Sequence, residues 1–378
     1  MNSMQDKKIC IITSVHKYND RRILDKEAIS LLNNGYEIDL IAPEGKDFKY
    51  RGINIVGIPK LPKLMRPVNW LRIIKICISK RYSIIHFHDP DLLFVGLFFK
   101  IFTNSNVIYD VHENYAVRLF ANRDNWFFRI IRWSVDTFEH FAARIIRNII
   151  VVEKHMRNRF NNYKCHTLLL PNFARAGSFR TVQIPKKDYT KRVIIHTGTL
   201  MAVRGSLVMA EIVKKVTDVD PTIQFKFVRN FLSDHEETLL MEKIRYLQIE
   251  KQFQFIDWVP PDKLLNILIE SSIGLSVLLP YGQYHNRAIP TKLFEYMAAG
   301  LAIVAEESAC NNKYIRQNRC GYLEPYSNID RFKDRILDLI NNPTELRRCG
   351  ENGREAFLKY YNWEIYEESF IEFYKVLK

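Results

Sequence analysis

Cysteine is scarce in this sequence: its 378 residues include six cysteines, and no two of them form a C-x-x-C pair. They are Cys10, Cys77, Cys165, Cys310, Cys320 and Cys349. Single, scattered cysteines exclude a disulfide-rich scaffold and a zinc ribbon. We therefore expect a reducing, cytoplasmic environment.

Long hydrophobic runs are also missing. The first apolar run, from Ile9 to Ile12, is too short for the core of a signal peptide, and the run over 94–99 ends at Lys100. Because a membrane span needs about 18 or more apolar residues, none is predicted. Any membrane association is expected to be peripheral, on the inner face of the cell membrane.

Glycine and proline number only 14 each, while 47% of the residues are hydrophobic and 26% are charged. This composition excludes disordered and collagen-like proteins. The length suits two domains of about 150–200 residues each. Residues 1–190 contain 31 basic and 17 acidic residues, and residues 191–378 contain 25 of each, so the net charge of +14 lies entirely in the first half. This asymmetry indicates two domains with different roles.

Short apolar segments alternate with amphipathic ones along the whole chain. Predicted strands cover 8–14, 37–42, 53–58, 83–88, 106–112, 148–152, 192–197, 224–228, 252–257, 273–278 and 302–305. Predicted helices cover 20–34, 70–79, 92–102, 126–144, 206–216, 234–247, 261–270 and 291–299, with further helices after 329. Such alternation predicts an α/β protein with two tandem, doubly wound, Rossmann-like domains facing a central cleft, where ligands would bind.

The alternation of predicted strands and helices is interrupted by a basic, polar stretch that contains Pro185. We assign residues 1–175 to the first domain, 176–190 to a linker and 191–360 to the second domain. Residues 361–378 are predicted to form a helix that packs back on the first domain.

No G-x-G-x-x-G or Walker A sequence is present, which argues against the common dinucleotide and P-loop sites. A subtler phosphate signal lies at Gly198 and Arg204. A glycine turn between a strand and a helix exposes N–H groups, and a nearby cation favours an anion. An ordinary strand-to-helix loop would have the same pattern.

A stronger signal is the segment from Pro290 to Gly300, P-T-K-L-F-E-Y-M-A-A-G. Pro290 and Thr291 mark a helix start, where the free N–H groups and the helix dipole favour a diphosphate. Glu295 lies one turn further on the same face, where its carboxylate can accept hydrogen bonds from sugar hydroxyls. The simpler alternative is an intrahelical ion pair with Lys292.

This segment and the strand after it resemble the signature of glycosyltransferase family 4, retaining enzymes of the GT-B fold also described as group 1 glycosyltransferases. Similar landmarks are S-V-H at 14–16, D-R-R-I at 20–23, K-E-A at 26–28, H-D at 88–89 and Y-D-V-H-E at 109–113. In their joint order they extend over roughly residues 9–321. The resemblance implies that the first domain binds the acceptor and the second binds a nucleotide-sugar donor.

The resemblance also implies roles for individual residues. Gly198 and Arg204 match the phosphate-binding glycine and basic residue, Glu295 matches the glutamate on the ribose hydroxyls, and His112 matches a histidine that reaches the donor sugar. Asp257, Trp258 and Val259 lie where, in this family, the nucleobase of the donor usually contacts the protein backbone. The candidate catalytic residues are His112, Arg204, Lys292 and Glu295, and the donor contacts further include Gly198, Thr199, Arg229, Asp257, Val259, Arg287, Pro290, Thr291 and Leu293.

Several family positions are changed. Arg287 replaces the first glutamate of the E-x7-E motif, and Thr199 replaces an arginine. The glycine-rich turn of the family reads Val228-Arg229-Asn230, and the glycine pair of the first loop is absent. We hypothesise that Arg287 supplies a charge that offsets the cation missing at Thr199.

Metal-independent retaining transfer requires protein cations and N–H dipoles at the leaving diphosphate. Arg204, Lys292 and the helix start at Thr291 are the candidates for this role. Asp89-Pro90-Asp91 has the D-x-D pattern of metal-dependent transferases, but aspartates between a strand and a helix are more often helix caps. No metal is therefore expected.

Residues 48–88 contain nine basic residues and no acidic one, interleaved with Trp70 and several isoleucines. A second basic, aromatic stretch covers 126–147. Such segments are typical of binding to anionic membranes, although their apolar residues could equally be core faces. Nucleic acid is not expected as a partner, since no binding module is recognisable.

These observations predict a transferase that moves a hexosyl or N-acetylhexosaminyl group from a UDP- or GDP-sugar to a glycan or polyprenyl-linked acceptor, in the biosynthesis of a surface polysaccharide such as capsule or lipopolysaccharide. No cofactor other than the donor substrate is expected. The alternatives are a non-catalytic protein of the same fold that binds nucleotide sugars or supports an assembly, and a nucleotide-sugar epimerase.

Overall fold

The chain is described by a computed structural model, which covers residues 8–112, 115, 125–161, 163–177, 187–257, 259, 261–280 and 290–377. The chain forms two compact units. The first comprises residues 1–172 and 365–378, and the second comprises residues 173–364. The sequence had suggested boundaries at residues 175, 190 and 360.

The first unit is built on an eight-stranded sheet. Its strands are β1 (Lys8–Ile12), β2 (Glu37–Ala42), β3 (Phe48–Tyr50), β4 (Ile53–Gly57), β5 (Ile84–Phe87), β6 (Asn106–Val111), β7 (Asn148–Val151) and β8 (His166–Leu169). Their order in the sheet is β3-β4-β2-β1-β5-β6-β7-β8, and every pair is parallel except β3 with β4. β1 and β5 to β7 are largely buried and rich in isoleucine and valine, as expected for parallel strands covered on both faces.

The helices of this unit connect the parallel strands. They are a π-helix (Arg21–Ala28) continuing into α1 (Ile29–Asn33), α2 (Pro67–Lys80), α3 (Leu93–Phe102), α4 (Trp126–Ile146) and α5 (Lys154–Asn161). Gly96 brings α3 close to the sheet, because a Cβ there would lie only 2.4 Å from the Phe87 ring. The helix predicted over 20–34 differs from the prediction at its start. It begins as a π-helix, in which Arg22, Lys26 and Glu27 are buried.

The second unit contains a six-stranded, all-parallel sheet. Its strands are β9 (Val193–His196), β10 (Gln224–Val228), β11 (Phe253–Ile256), β12 (Ile273–Ser276), β13 (Ala302–Glu306) and β14 (Gly321–Glu324), in the order β11-β10-β9-β12-β13-β14. Its helices are α6 (Ser206–Val219), α7 (Asp234–Leu247), α8 (Pro261–Ile269), α9 (Thr291–Ala298), α10 (Ala309–Asn311), α11 (Ile329–Ile340) and α12 (Pro343–Tyr360). Both sheets confirm the prediction of two Rossmann-like α/β domains.

The last helix, α13 (Trp363–Lys375), returns the chain to the first unit. Tyr374 on this helix is fully buried, and its hydroxyl lies 2.6 Å from Nδ1 of His86 on β5. Phe373 stacks on His166 of β8, with ring centroids 4.6 Å apart. The helix therefore contributes to the core of the first unit.

Among the described residues, no helix combines the length and the apolarity needed to cross a bilayer.

Candidate functional site

A cluster of polar groups lies where β9 ends in the second unit. We call His196, Gly198, Arg204, Lys292 and Glu306 the Gly198 cluster. His196 is buried, and its Nδ1–H donates to the carbonyl of Leu275 at 2.9 Å. Nε2 of His196 therefore carries the lone pair, and it has no partner among the described residues. Burial, reinforced by the Lys292 charge, holds the pKa of His196 well below its usual range, so the ring is neutral.

Gly198 opens space beside His196. Its φ of +129° is a conformation that L residues rarely adopt. A Cβ added there would lie 3.6 Å from Nζ of Lys292 and 3.8 Å from Nε2 of His196. A ligand that approaches the backbone at Gly198 would therefore meet an ammonium group and an imidazole nitrogen.

α9 brings Lys292 to this point. Thr291 begins the helix and is exposed, and the residue before it, Pro290, makes no side-chain cap bond to the first N–H groups. Tyr296, one turn later, is fully buried, and its hydroxyl accepts the N–H of Thr197 at 2.9 Å and donates to the Leu275 carbonyl at 3.3 Å. These bonds tie the helix to β9 and β12, so its N-terminus is firmly placed.

The charges of the cluster interact. Burial lowers the pKa of Lys292 to about 8, helped by the Arg204 cation and opposed by Glu306 and Glu295. Burial raises the pKa of Glu306 to about 7, against the attraction of Lys292. Oε1 of Glu306 accepts from the Asn311 amide at 2.8 Å, whereas Oε2 is buried without a partner among the described residues. An anion bound here would favour the charged form of Lys292.

Arg204 is placed by a tight turn. It ends a short 3₁₀-helix (Ala202–Arg204), and Gly205 follows with φ +77°. A Cβ on Gly205 would lie 2.6 Å from the Val277 carbonyl, so only glycine lets this loop pack against the end of β12. The turn keeps the guanidinium close enough to influence the pKa of both Lys292 and His196.

A second cluster lies in the first unit, at the carboxyl ends of β5 and β6. We call Arg22, Glu27, His86, His88, Asp110 and His112 the His112 cluster. Arg22 donates to Oδ2 of Asp110 at 3.0 Å (Nε) and 2.8 Å (Nη2), and its Nε lies 2.9 Å from Oε1 of Glu27. The side chain of His112 is 24% exposed, and its Nε2 lies 3.0 Å from Nδ1 of the buried His88.

Four side chains of this cluster could in principle ligate a metal ion. One ligand atom from each of Glu27, His86, His88 and Asp110 lies within 4.8 Å of the others. However, the Arg22 guanidinium already contacts both carboxylates. Because it would repel a second cation, the arrangement favours an internal ion pair over a metal centre.

Comparison with known proteins assigns both halves of the chain to one family. A family model described as Glycosyl transferases group 1 matches residues 179–356, and one described as Glycosyltransferase Family 4 matches residues 24–173. The two matches adjoin and together span most of the sequence. The chain belongs to the group 1, family 4 glycosyltransferases.

Solved structures support the GT-B fold of this glycosyltransferase. A glycosyltransferase from Rickettsia africae ESF-5 is similar with a TM-score of 0.72 at 14% identity, covering 98% of each chain. Sucrose-phosphate synthase from Thermosynechococcus elongatus has a TM-score of 0.71 at 14% identity, covering 98% of this chain and 99% of that one. HepE of Anabaena in complex with UDP has a TM-score of 0.71 at 12% identity, covering 98% and 100%.

The match to one curated relative covers a shorter segment. Spore coat protein SA of Bacillus subtilis (strain 168) is 20% identical over 192 residues, 49% of this chain. The match spans about half (49%) of the length of that relative.

Several other residues that the sequence predicts as donor contacts lie near the same sheet edge. Oγ1 of Thr199 accepts from the Asn230 amide at 3.4 Å. Arg229 follows β10, with its guanidinium 3.5 Å from Glu237 and over the Phe255 ring. The exposed Asp257 and the partly buried Val259 follow β11, two strands from β9 and so about 10 Å away.

The remaining residues of the prediction lie on or before α9. Pro290 precedes the helix, Leu293 is buried in it, and Glu295 is partly buried. Trp258 and Arg287 lie outside the described residues, so the hypothesis that Arg287 offsets the missing cation stays a prediction.

The sequence interpretation of Asp89 as a helix cap is wrong. Oδ2 of Asp89 accepts from Thr13 Oγ1 and from the Ser14 N–H, both at 2.7 Å, and it makes no cap bond to its own helix. The carboxylate instead secures the loop after β1, while Asp91 accepts from the Ser14 hydroxyl.

Sequence reasoning missed His196 and Glu306 and used His88 only as a family landmark. Each is a polar residue at or directly after the end of an apolar strand, β9, β13 and β5. That signal was available, because parallel strands bring their carboxyl ends to one edge. The partners across that edge could not be read from the sequence.

Proposed function

We propose that this chain is a retaining, metal-independent glycosyltransferase that moves a hexosyl or N-acetylhexosaminyl group from a UDP- or GDP-sugar to a glycan or polyprenyl-linked acceptor in surface polysaccharide synthesis. The observation that carries the proposal is the Gly198 cluster. It combines an open glycine, the Lys292 ammonium and a helix start whose N-cap residue, Pro290, makes no side-chain cap bond, which together suit a diphosphate. The complexes of HepE with UDP and UDP-glucose support a nucleotide-sugar donor.

In this proposal the cluster stabilises the leaving group. As the bond between the anomeric carbon and the diphosphate oxygen breaks, negative charge grows on that oxygen. Lys292, Arg204 and the first N–H groups of α9 are placed to compensate it. The acceptor hydroxyl attacks from the same face and passes its proton to the leaving phosphate oxygen, so the configuration is retained and no strong protein base is needed.

The other assigned residues orient the donor. Glu295 would accept hydrogen bonds from the ribose hydroxyls, the backbone at Asp257 and Val259 would meet the base, and His112 would contact the donor sugar. The acceptor would bind to the first unit.

The direct test is a screen of UDP-, GDP- and ADP-sugars by thermal shift, followed by a transfer assay with a lipid-linked acceptor. A donor raises the melting temperature because it binds only the folded protein. We expect one donor class to do so, slow hydrolysis of that donor, and loss of hydrolysis in Glu295→Ala. Binding without turnover, even with the lipid-linked acceptor, would favour the non-catalytic alternative, and NMR of the product anomer would test retention.

Gly198→Ala should weaken donor binding at least tenfold. The alanine would be strained at this φ by about 1–3 kcal/mol, and its methyl group would fill the space beside Lys292. Calorimetric titration with UDP measures the effect. Gly45→Ala is the control, because Gly45 also has a positive φ (+75°) but a Cβ there meets no atom within 4 Å. Equal UDP affinity in both variants would contradict the placement of the diphosphate.

The membrane part of the proposal rests on helices α2, α3 and α4. Stacked rings join them: Trp70 to Phe94 at 5.0 Å and Phe94 to Phe138 at 4.6 Å between centroids. Many of their apolar side chains are nevertheless exposed by more than half: Val68, Leu71, Ile78, Phe94, Ile101, Phe102, Trp126, Phe127, Ile130, Trp133 and Phe141. We call these residues the apolar helix surface.

The alternative that these residues are core faces fails for α4. The buried residues of this helix all lie among its last eight residues, from Glu139 to Ile146. Arg72, Lys75 and Arg129 are exposed on the same helices. Cations among exposed aromatic side chains match an anionic lipid surface, to which each contributes about 1 kcal/mol.

Trp126→Ser and Trp133→Ser should each reduce binding to phosphatidylglycerol vesicles about tenfold or more, since each removes a large apolar side chain from the interface. Vesicle sedimentation measures the affinity, which should also fall with salt. Tyr246→Ser is the control, because Tyr246 is 79% exposed on α7 of the second unit. A concentration-dependent dimer without vesicle binding would instead assign the surface to a second copy of the chain.

A further inference from the structure

The loop after β1 carries large polar and aromatic side chains in place of the glycine pair of the family. Its residues are His16, Lys17, Tyr18 and Asn19. Lys17 and Asn19 are exposed, and His16 and Tyr18 are partly buried. The loop lies at the carboxyl end of its strand, the edge of a parallel sheet at which ligands bind.

Hydrogen bonds fix the backbone of this loop. Oγ1 of Thr13 accepts the N–H groups of Val15 at 3.2 Å and of His16 at 2.9 Å. Oε1 of Glu44 accepts the N–H of Tyr18 at 2.8 Å. A ligand that meets His16 and Tyr18 therefore avoids most of the entropic cost of ordering the loop.

Tyr18 packs edge-on against two rings of β3, the edge strand of the sheet. Its ring centroid lies 5.0 Å from that of Phe48 at an interplanar angle of 88°, and 5.2 Å from that of Tyr50 at 80°. Tyr50 is 39% exposed, and Phe48 is partly buried. Neither tyrosine hydroxyl has a hydrogen-bond partner among the described residues. We call Tyr18, Phe48 and Tyr50 the aromatic shelf.

His16 connects the aromatic shelf to His112. The ring centroids of His16 and His112 are 5.9 Å apart, and Tyr18 follows His16 by two residues. The ring of His16 lies between two carboxylates, with Nδ1 3.4 Å from Oδ2 of Asp20 and Nε2 3.7 Å from Oδ1 of Asp89. Its side chain is nevertheless 37% exposed.

These side chains form a row across the sheet. It runs from His112, directly after β6, to Tyr50 on β3. Because β3 and β6 are five strand spacings apart, the row extends over about 24 Å. A single sugar ring is much shorter than this row, whereas a glycan of several sugars could follow it.

A sugar ring matches the chemistry of the aromatic shelf. The C–H groups on one face of a pyranose pack well on aromatic rings, and its hydroxyl groups can pair with the tyrosine hydroxyls. The exposed side chains beside the shelf, Lys17, Asn19 and Lys49, offer further hydrogen bonds. An acyl chain would offer these polar groups no hydrogen bond.

We propose that the aromatic shelf binds a sugar of the acceptor glycan that is remote from the sugar receiving the new bond, so that the acceptor is an oligosaccharide or a longer glycan. His112 marks the reacting end of the acceptor, and Tyr18 and Tyr50 hold its distant end. The inference rests on the proposed function in that the bound glycan is the acceptor. Binding of a glycan to the shelf requires no donor, so it can be measured by itself.

A microarray of defined bacterial oligosaccharides tests the shelf without a donor. We expect the wild-type protein to be retained by a class of trisaccharides or longer glycans and by no monosaccharide. Tyr18→Ala/Tyr50→Ala should lower the apparent affinity about tenfold or more, the loss typical when aromatic contact residues are truncated. Tyr50→Phe should lose only a few fold, because the ring remains. No retained glycan, or equal affinity in the wild type and the double alanine variant, would overturn the proposal.

Tyr360→Ala is the matched control, because Tyr360 is 48% exposed at the end of α12 in the second unit. Its glycan affinity should equal that of the wild type. Tyr50→Ala alone separates binding from folding, since it changes an exposed side chain on an edge strand. Its melting temperature should stay close to that of the wild type while its glycan affinity falls. Loss of glycan affinity only in variants that also melt early would assign the shelf a purely structural role.

Transfer kinetics test the position of the shelf along the acceptor. With a trisaccharide identified on the array, Tyr50→Ala should raise the KM for the acceptor about tenfold with little change in kcat, as expected when uniform binding is lost. The KM for the corresponding monosaccharide should not change. Equal effects on long and short acceptors would contradict a remote subsite.

Two further outcomes distinguish the possible causes of failure. Weaker binding of the tyrosine variants to phosphatidylglycerol vesicles, with glycan binding intact, would assign the shelf to the membrane and overturn the proposal. Glycan binding that depends on the shelf, in a protein that binds no nucleotide sugar, would contradict the proposed function but would leave the glycan subsite in place.

Discussion

Lys292→Met should lower kcat for sugar transfer by about 10²–10³-fold, the loss typical when one group that stabilises transition-state charge is removed. The methionine retains the bulk of the side chain, so α9 and its Tyr296 anchor should stay in place. What is lost is the ammonium beside Gly198, the group that we propose compensates charge on the departing diphosphate. Release of the nucleoside diphosphate measures the rate.

Lys251→Met is the matched control, because Lys251 is exposed in the turn before β11 of the same unit. Its kcat should be unchanged. A Lys292→Met rate within about threefold of the wild type would remove the ammonium from the mechanism.

The same lysine predicts a pH dependence. Its pKa of about 8 means that Lys292 is charged below that pH and loses its proton above it. Donor affinity should therefore fall as the pH rises through about 8, by up to tenfold per pH unit. The Met variant should lack this decline, which calorimetric titration of UDP at pH 6 to 9.5 would show.

Arg22→Met should destabilise the first unit by about 3–5 kcal/mol, the usual result when one partner of a buried ion pair is removed. Arg22 is 3% exposed, and it contacts Asp110, Glu27 and the Leu170 carbonyl. Without it, the Asp110 carboxylate would remain buried without its cation. Hydrogen exchange at the amides of β1, β5 and β6 reports the stability of this unit separately from the other.

Arg51→Met provides the comparison, because Arg51 forms an ion pair with Asp25 at 2.6 Å but is 52% exposed. Its loss should cost about 0–1 kcal/mol. The double variant Arg22→Met/Asp110→Asn should recover part of the Arg22 loss, since it removes the uncompensated charge. Equal effects of Arg22→Met and Arg51→Met would show that the buried network adds little stability.

The sequence predicted the secondary structure well where periodicity was strong. The strand at 224–228 and the helix at 234–247 coincide with β10 and α7. It missed the strands β3, β8 and β14 and the helix α5. β3 and β8 are the two edge strands of the first sheet, short and mostly only partly buried, so they lack the apolar runs that indicate inner strands. α5 has a low apolar content and buries only Met156 and Phe160.

In the second unit, the sequence signature at 290–300 predicted the position of α9 equally well. The P-T-K-L-F-E-Y-M segment placed the helix start, Lys292 and Glu295 correctly along α9, because helix starts and turn spacing are local properties. The neighbours of Lys292 were not predictable. Gly198, His196 and Glu306 come from two other strands, and parallel strands align their carboxyl ends only when the sheet forms.

The charged residues show the same difference between what the sequence determines and what only the folded structure decides. The sequence alone determined that the basic excess lies in the first half, that the chain folds into two α/β units and which family it belongs to, because these depend on composition, periodicity and motif order. Only the tertiary structure decided that Arg22 is buried against Asp110 and Glu27 while much of α4 remains exposed. Burial depends on what packs against a residue, and for charged groups it also sets which of them keep their protons.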